Sequence, residues 1–213
     1  MRTMIDRAVR PVRLGVPAVA VLLLSGCAGG ATPGTAAVAG DARLTVEEVQ
    51  QRTQSFIAAY PDVMSSGVTT GQVTAITVQN FITGVVVEKA AIDVGVVATP
   101  TQIDDFITER GGLAEVTQLT SGAGVPPDPA LVRGEVRTAI LQQAIGTEIA
   151  GRGAADEEIA AATNGALTAA ADGLRIQVNP RFGTWDGATV LGSSGSLSTT
   201  LAELEADSTT TQG

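Results

Sequence analysis

Phe81-Ile82-Thr83-Gly84-Val85-Val86-Val87-Glu88-Lys89-Ala90-Ala91-Ile92-Asp93-Val94-Gly95-Val96-Val97 is the stretch on which the fold turns. It is apolar on nearly every side of a helical wheel, and such a helix lies either in a bilayer or at the centre of a folded domain. Glu88, Lys89 and Asp93 interrupt it. Those charges and the length of the run place it, extended back to about Gly71 and forward to Val96, as a buried central helix rather than a membrane span.

Upstream, Thr45 with Glu48 three residues on fits a capping box that opens a helix. Val46, Val49, Thr53, Phe56, Ile57 and Tyr60 share one face of it, and Pro61 is expected to stop it. Before it, Gly40-Asp41 separates two short apolar stretches between Ala36 and Leu44, the pattern of a strand and turn. Downstream, Thr99-Pro100 opens a helix expected to end near Gly111-Gly112, and a short helix follows from Leu113 to Leu119. A Gly/Pro-rich loop from Ser121 to Pro127 leads to Asp128-Pro129 and a stronger helix. Its apolar stripe is Val132, Val136, Ala139, Ile140 and Ile145, and it ends near 151–153. An Ala-rich helix from Ala155 to Asp172 then stops at Gly173. Leu174-Arg175-Ile176-Gln177-Val178 alternates as a strand, and its available partner is the early strand near Val38 or Leu44. The expected fold class is mainly α, with a small β-ribbon joining the two ends of the domain.

Composition excludes much chemistry. Histidine is absent, which removes Ser-His-Asp and Cys-His catalysis and His-ligated zinc. Cys27 is the only cysteine, so no disulfide forms within the chain. Asp104-Asp105 and Glu157-Glu158 are adjacent carboxylates, which do not face each other on a helix and lie in no calcium loop; they are read as solvated faces. Gly192-Ser193-Ser194-Gly195-Ser196 lacks the pattern of a nucleophile elbow and is read as linker. The chain is expected to be no enzyme, with no cofactor, no metal and no small-molecule substrate.

The N-terminus reads as an address. Arg2, Arg7, Arg10 and Arg13 precede an apolar run of 11 residues, Leu14 to Leu24, and then Leu24-Ser25-Gly26-Cys27. A basic head, a short apolar segment and small residues before a cut describe an export signal. The Leu-Ser-Gly-Cys sequence resembles the lipobox of bacterial lipoproteins. That resemblance implies diacylglycerol on the Cys27 thiol, cleavage after Gly26 and a palmitate-type acyl anchor in the membrane. Without residues 1–26 the chain keeps 9 basic and 21 acidic residues, a net charge of −12, which repels nucleic acid. The expected organisation is signal peptide 1–26, lipidated flexible tether 27–40, helical domain 41–187, and a Ser/Thr/Gly-rich disordered tail 188–213.

Val38-Ala39-Gly40-Asp41-Ala42-Arg43-Leu44-Thr45-Val46-Glu47-Glu48-Val49 is similar to the opening of the SurA/PrsA-type foldase domain, where a strand and turn lead into a helix. Val178-Asn179-Pro180-Arg181-Phe182-Gly183-Thr184-Trp185-Asp186 resembles the closing strand and end of actinobacterial lipoproteins with a SurA-like N-terminal domain. The resemblance spans roughly residues 36–187. It implies an extracytoplasmic chaperone, held at the outer leaflet of an actinobacterial plasma membrane, that grips non-native exported polypeptides between helices. The family's parvulin domains, which carry paired histidines, have no counterpart here, so no prolyl isomerisation is expected. Phe81 and Val85, together with Arg181, Phe182 and Trp185, are the candidate peptide contacts. Aromatic residues are scarce in this chain and a core needs them. The plainer expectation is therefore that Phe182 and Trp185 close the core, and that Phe81 and Val85 pack in it. The alternative function is a structural or recruiting lipoprotein that docks one folded cell-envelope partner.

Overall fold

The computed structural model describes residues 33–192. It opens with β1 (Thr35–Ala39) and β2 (Ala42–Thr45), an antiparallel hairpin turned at Gly40-Asp41. The helices are α1 (Val46–Ala59), α2 (Pro61–Ser65), α3 (Thr70–Val94), α4 (Pro100–Glu109), α5 (Leu113–Ser121), α6 (Pro129–Gly151) and α7 (Asp156–Gly173). Three two-residue strands close the domain: β3 (Gln177–Val178), β4 (Thr184–Trp185) and β5 (Val190–Leu191). The architecture is mainly helical, with two small sheets.

Local chemistry sets the helix starts. Thr45, Thr69 and Thr99 each accept a backbone hydrogen bond from the third residue on, while Glu48, Gln72 and Gln102 reach back to the cap backbone. Each such cap stabilises its helix by about 1 kcal/mol. The Asp128 carboxylate accepts from the backbone of Ala130 and Leu131 and opens α6.

α3 is the hub. Val73, Val78, Ile82, Val86, Val87, Ala90 and Ala91 are buried on it, beneath α1, α6, α7 and the hairpin. It is also long and apolar enough to cross a membrane by length and composition, a property that core helices share. The core falls into two clusters. The larger joins the hairpin, α1, α3, the C-terminal half of α6 and α7 through Leu44, Val49, Ile82, Leu141 and Ile145. The smaller joins α4 and α5 to the N-terminal half of α6 through Ile103, Ile107, Val116, Val132 and Val136. Ile140 packs against both.

β1 is the middle strand, with β2 on one side and β3 on the other, Ala37 lying opposite Val178. The ends of the domain therefore meet, as the alternating 174–178 pattern predicts. Only Gln177–Val178 is strand, however, because Arg175 has φ 48°, which breaks the extended run.

Several expectations need correction. The tether does not reach residue 40: Thr35, Ala36, Ala37 and Ala39 are buried in β1. Their small side chains read as linker by composition, but a middle strand beneath a helix has room for little else. The domain does not end at 187 either, since β5 pairs with β4, Trp185 opposite Val190; the remainder of the expected tail, 193–213, lies outside the described residues. Pro61 ends α1 but also sits first in α2, where its missing N–H costs nothing. Ala139 is exposed and Leu141 takes its place in the core. Asp104 is not merely solvated: it forms an ion pair with Arg133 and ties α4 to α6.

Candidate functional site

A cleft of about 250 Å³ runs along the seam between the two core clusters, smaller than the hollows beside Phe182 and Trp185 but the one into which residues of both clusters face. α3 contributes Thr77, Asn80, Phe81, Gly84 and Val85 to its floor and one wall. α6 contributes Leu131, Gly134, Glu135 and Thr138, and the α5–α6 loop adds Gly124, Val125 and Pro126. Arg52 of α1 stands at one end. Phe81 is a partly buried member of one cluster and Leu131 of the other, so the floor is apolar because both cores surface there.

Two contacts fix the loop wall. Asn80 Nδ2 donates to the Ala123 carbonyl at 2.8 Å. Gly124 adopts φ +75°, and a Cβ there would stand 2.5 Å from Ile76 Cγ2, so only glycine lets the loop lie this close to α3. α3 and α6 are also joined by Arg137, whose guanidinium forks onto Glu88 at 2.7 and 3.0 Å and donates to the Ala98 carbonyl. That bonding raises the already high pKa of Arg137 further.

Glu135 is the unusual group in the cleft. Burial pushes its carboxyl above the ordinary glutamate range. Among the described residues it has no ion pair. It also borders a second hollow, lined by Phe106, Arg110, Val116 and Leu119. Gly134 beside it leaves space, since a Cβ there would meet nothing within 4 Å.

The five candidate contacts separate into three places. Phe81 and Val85 meet in the cleft. Arg181 and Phe182 border a different hollow against α1 and the start of α3, and Phe182 is buried, with its ring 5.7 Å from the Arg181 guanidinium carbon. Trp185 borders a third, between α3 and α7, and packs against the larger core cluster. Phe182 is thus a member of the larger core cluster, and Trp185 packs against it while remaining partly exposed.

The closing motif has a structural use. Asn179 donates from Nδ2 to the Thr35 carbonyl and accepts from the Arg181 backbone through Oδ1, while its own N–H donates to the Ala36 carbonyl. Asp186 accepts from the backbone of Thr189 and Ala188, which holds its carboxyl below the usual range and shapes the β4–β5 turn. Gln79 Oε1 accepts from Val190 N at 2.5 Å and docks that hairpin on α3. Asn179-Pro180-Arg181-Phe182-Gly183 is thus a clasp that joins the C-terminal segment to β1.

Glu135, Leu131, Asn80 and Arg52 were not singled out by sequence. A signal existed for α6: Leu131, Glu135 and Thr138 share a face at i, i+4 and i+7. Cys27, Leu24, Ser25 and Gly26 lie outside the described residues. Among the described residues no cluster of three or more metal-ligating side chains occurs. No family model, curated protein or solved structure matches the chain.

Proposed function

We propose that this chain is a lipid-anchored, extracytoplasmic lipoprotein with a SurA-like helical domain that holds non-native exported polypeptides without covalent chemistry or cofactor. The cleft between α3 and α6 is the observation that carries this reading. It is open, its floor is apolar, and Arg52, Asn80, Glu135 and Thr138 give it a polar margin. A site of that kind suits a segment with an apolar side chain and a solvated backbone. The opening at Thr45 and the closing motif at Asn179 are the segments that carry the family resemblance, and the lipobox-like Leu24-Ser25-Gly26-Cys27 supports export. The absence of histidine argues for holding over isomerisation.

The test is suppression of aggregation of a reduced, unfolding client by the purified chain. Suppression at several-fold molar excess is expected. No suppression, combined with recovery of one stoichiometric folded partner in a pull-down, would replace this reading with that of a recruiting lipoprotein.

A further inference from the structure

We propose that the α3–α6 cleft selects polypeptide segments in which an apolar side chain, seated between Phe81 and Leu131, neighbours a lysine or arginine whose cation meets Glu135. The inference rests on the reading of the domain as a polypeptide binder and adds what it prefers to bind. Phe81 and Leu131 supply the apolar seat, one from each core cluster. Glu135 lines the same cleft and the adjoining hollow, is half-buried, and has no ion pair among the described residues, while Arg110 of that hollow lies over the Phe106 ring. The nearest arginines on its own helix are engaged elsewhere, Arg133 with Asp104 and Arg137 with Glu88 and the Ala98 carbonyl. A half-buried carboxylate lacking a cation is the complement of a ligand that brings one.

The chain's own C-terminal stretch is a poor occupant by charge. Residues 193–213 contain Glu203, Glu205 and Asp207 and no lysine or arginine. Gly134, one residue before Glu135, leaves the cleft open where a longer side chain would enter it.

The experiment uses the purified full-length chain and three fluorescent peptides of one apolar sequence, differing only in a central Lys, Gln or Glu. Anisotropy is expected to show the Lys peptide binding about tenfold tighter than the Glu peptide at low salt, with the gap narrowing as salt rises. In Glu135→Gln the gap should shrink to about twofold or less, and in Gly134→Leu all three peptides should weaken together, both with unchanged circular dichroism. Equal binding of the three peptides by a protein that still suppresses aggregation overturns the cation preference and leaves polypeptide holding intact. A preference that survives Glu135→Gln overturns the assignment to this cleft. Failure to bind any peptide, together with failure to suppress aggregation, overturns both readings.

Discussion

Glu135 shows how a single residue can oppose the stability of its own domain. Its carboxyl pKa is raised in the folded chain by burial. As pH rises through the ordinary glutamate range, the unfolded chain gives up its proton first, so stability falls across that window and levels off once both states are ionised. Glu135→Gln removes this falling limb. Urea titrations of the variant should therefore show higher stability than the parent at neutral pH and a flatter dependence between the ordinary and raised pKa. An unchanged pH profile would show that Glu135 is fully solvated. The same substitution is expected to weaken binding of basic peptides, so stability and binding should move in opposite directions. Charge alone could not single out this residue from the sequence. Its spacing places it on a helix face with Leu131, but only packing against α3 turns that face into a half-buried cleft wall.

Among the elements, the C-terminal hairpin depends on one backbone position. Gly183 has φ +137°, and a Cβ there would stand 2.5 Å from the Leu191 carbonyl oxygen and 2.7 Å from Val190 Cγ1. Gly183→Ala is expected to destabilise the domain by roughly 1–3 kcal/mol, read as a lower urea midpoint, because both the conformation and the contact resist a methyl group. A midpoint within error of the parent would mean that β4–β5 contributes nothing to folding. The helices were far more legible. Thr45, Thr99 and Asp128 signalled their starts through local hydrogen bonding, which needs no distant partner. Gly40-Asp41 and the alternating 174–178 run marked the β1–β2 hairpin and β3, whereas β4 and β5 carried no periodic signal of their own. Each exists because another part of the chain lies beside it.

At the scale of the whole molecule, an acidic helical domain follows the Leu24-Ser25-Gly26-Cys27 sequence. If Cys27 carries the anchor, Cys27→Ala should abolish membrane retention of the processed chain in fractionation, while peptide binding by the domain persists. Undiminished retention of a processed form would overturn the lipid anchor. The sequence by itself determined the mainly helical class, most helix starts and the meeting of the two ends of the domain, because caps, periodicity and alternation act over a few residues. It also excluded histidine chemistry outright. Only the tertiary structure decided that Phe81 and Val85 share a cleft while Phe182 and Trp185 do not, and that Glu135 belongs beside the first pair. The physical reason is that the cleft is a seam between two core clusters. Its shape depends on how α6 spans both, which no local stretch of sequence specifies.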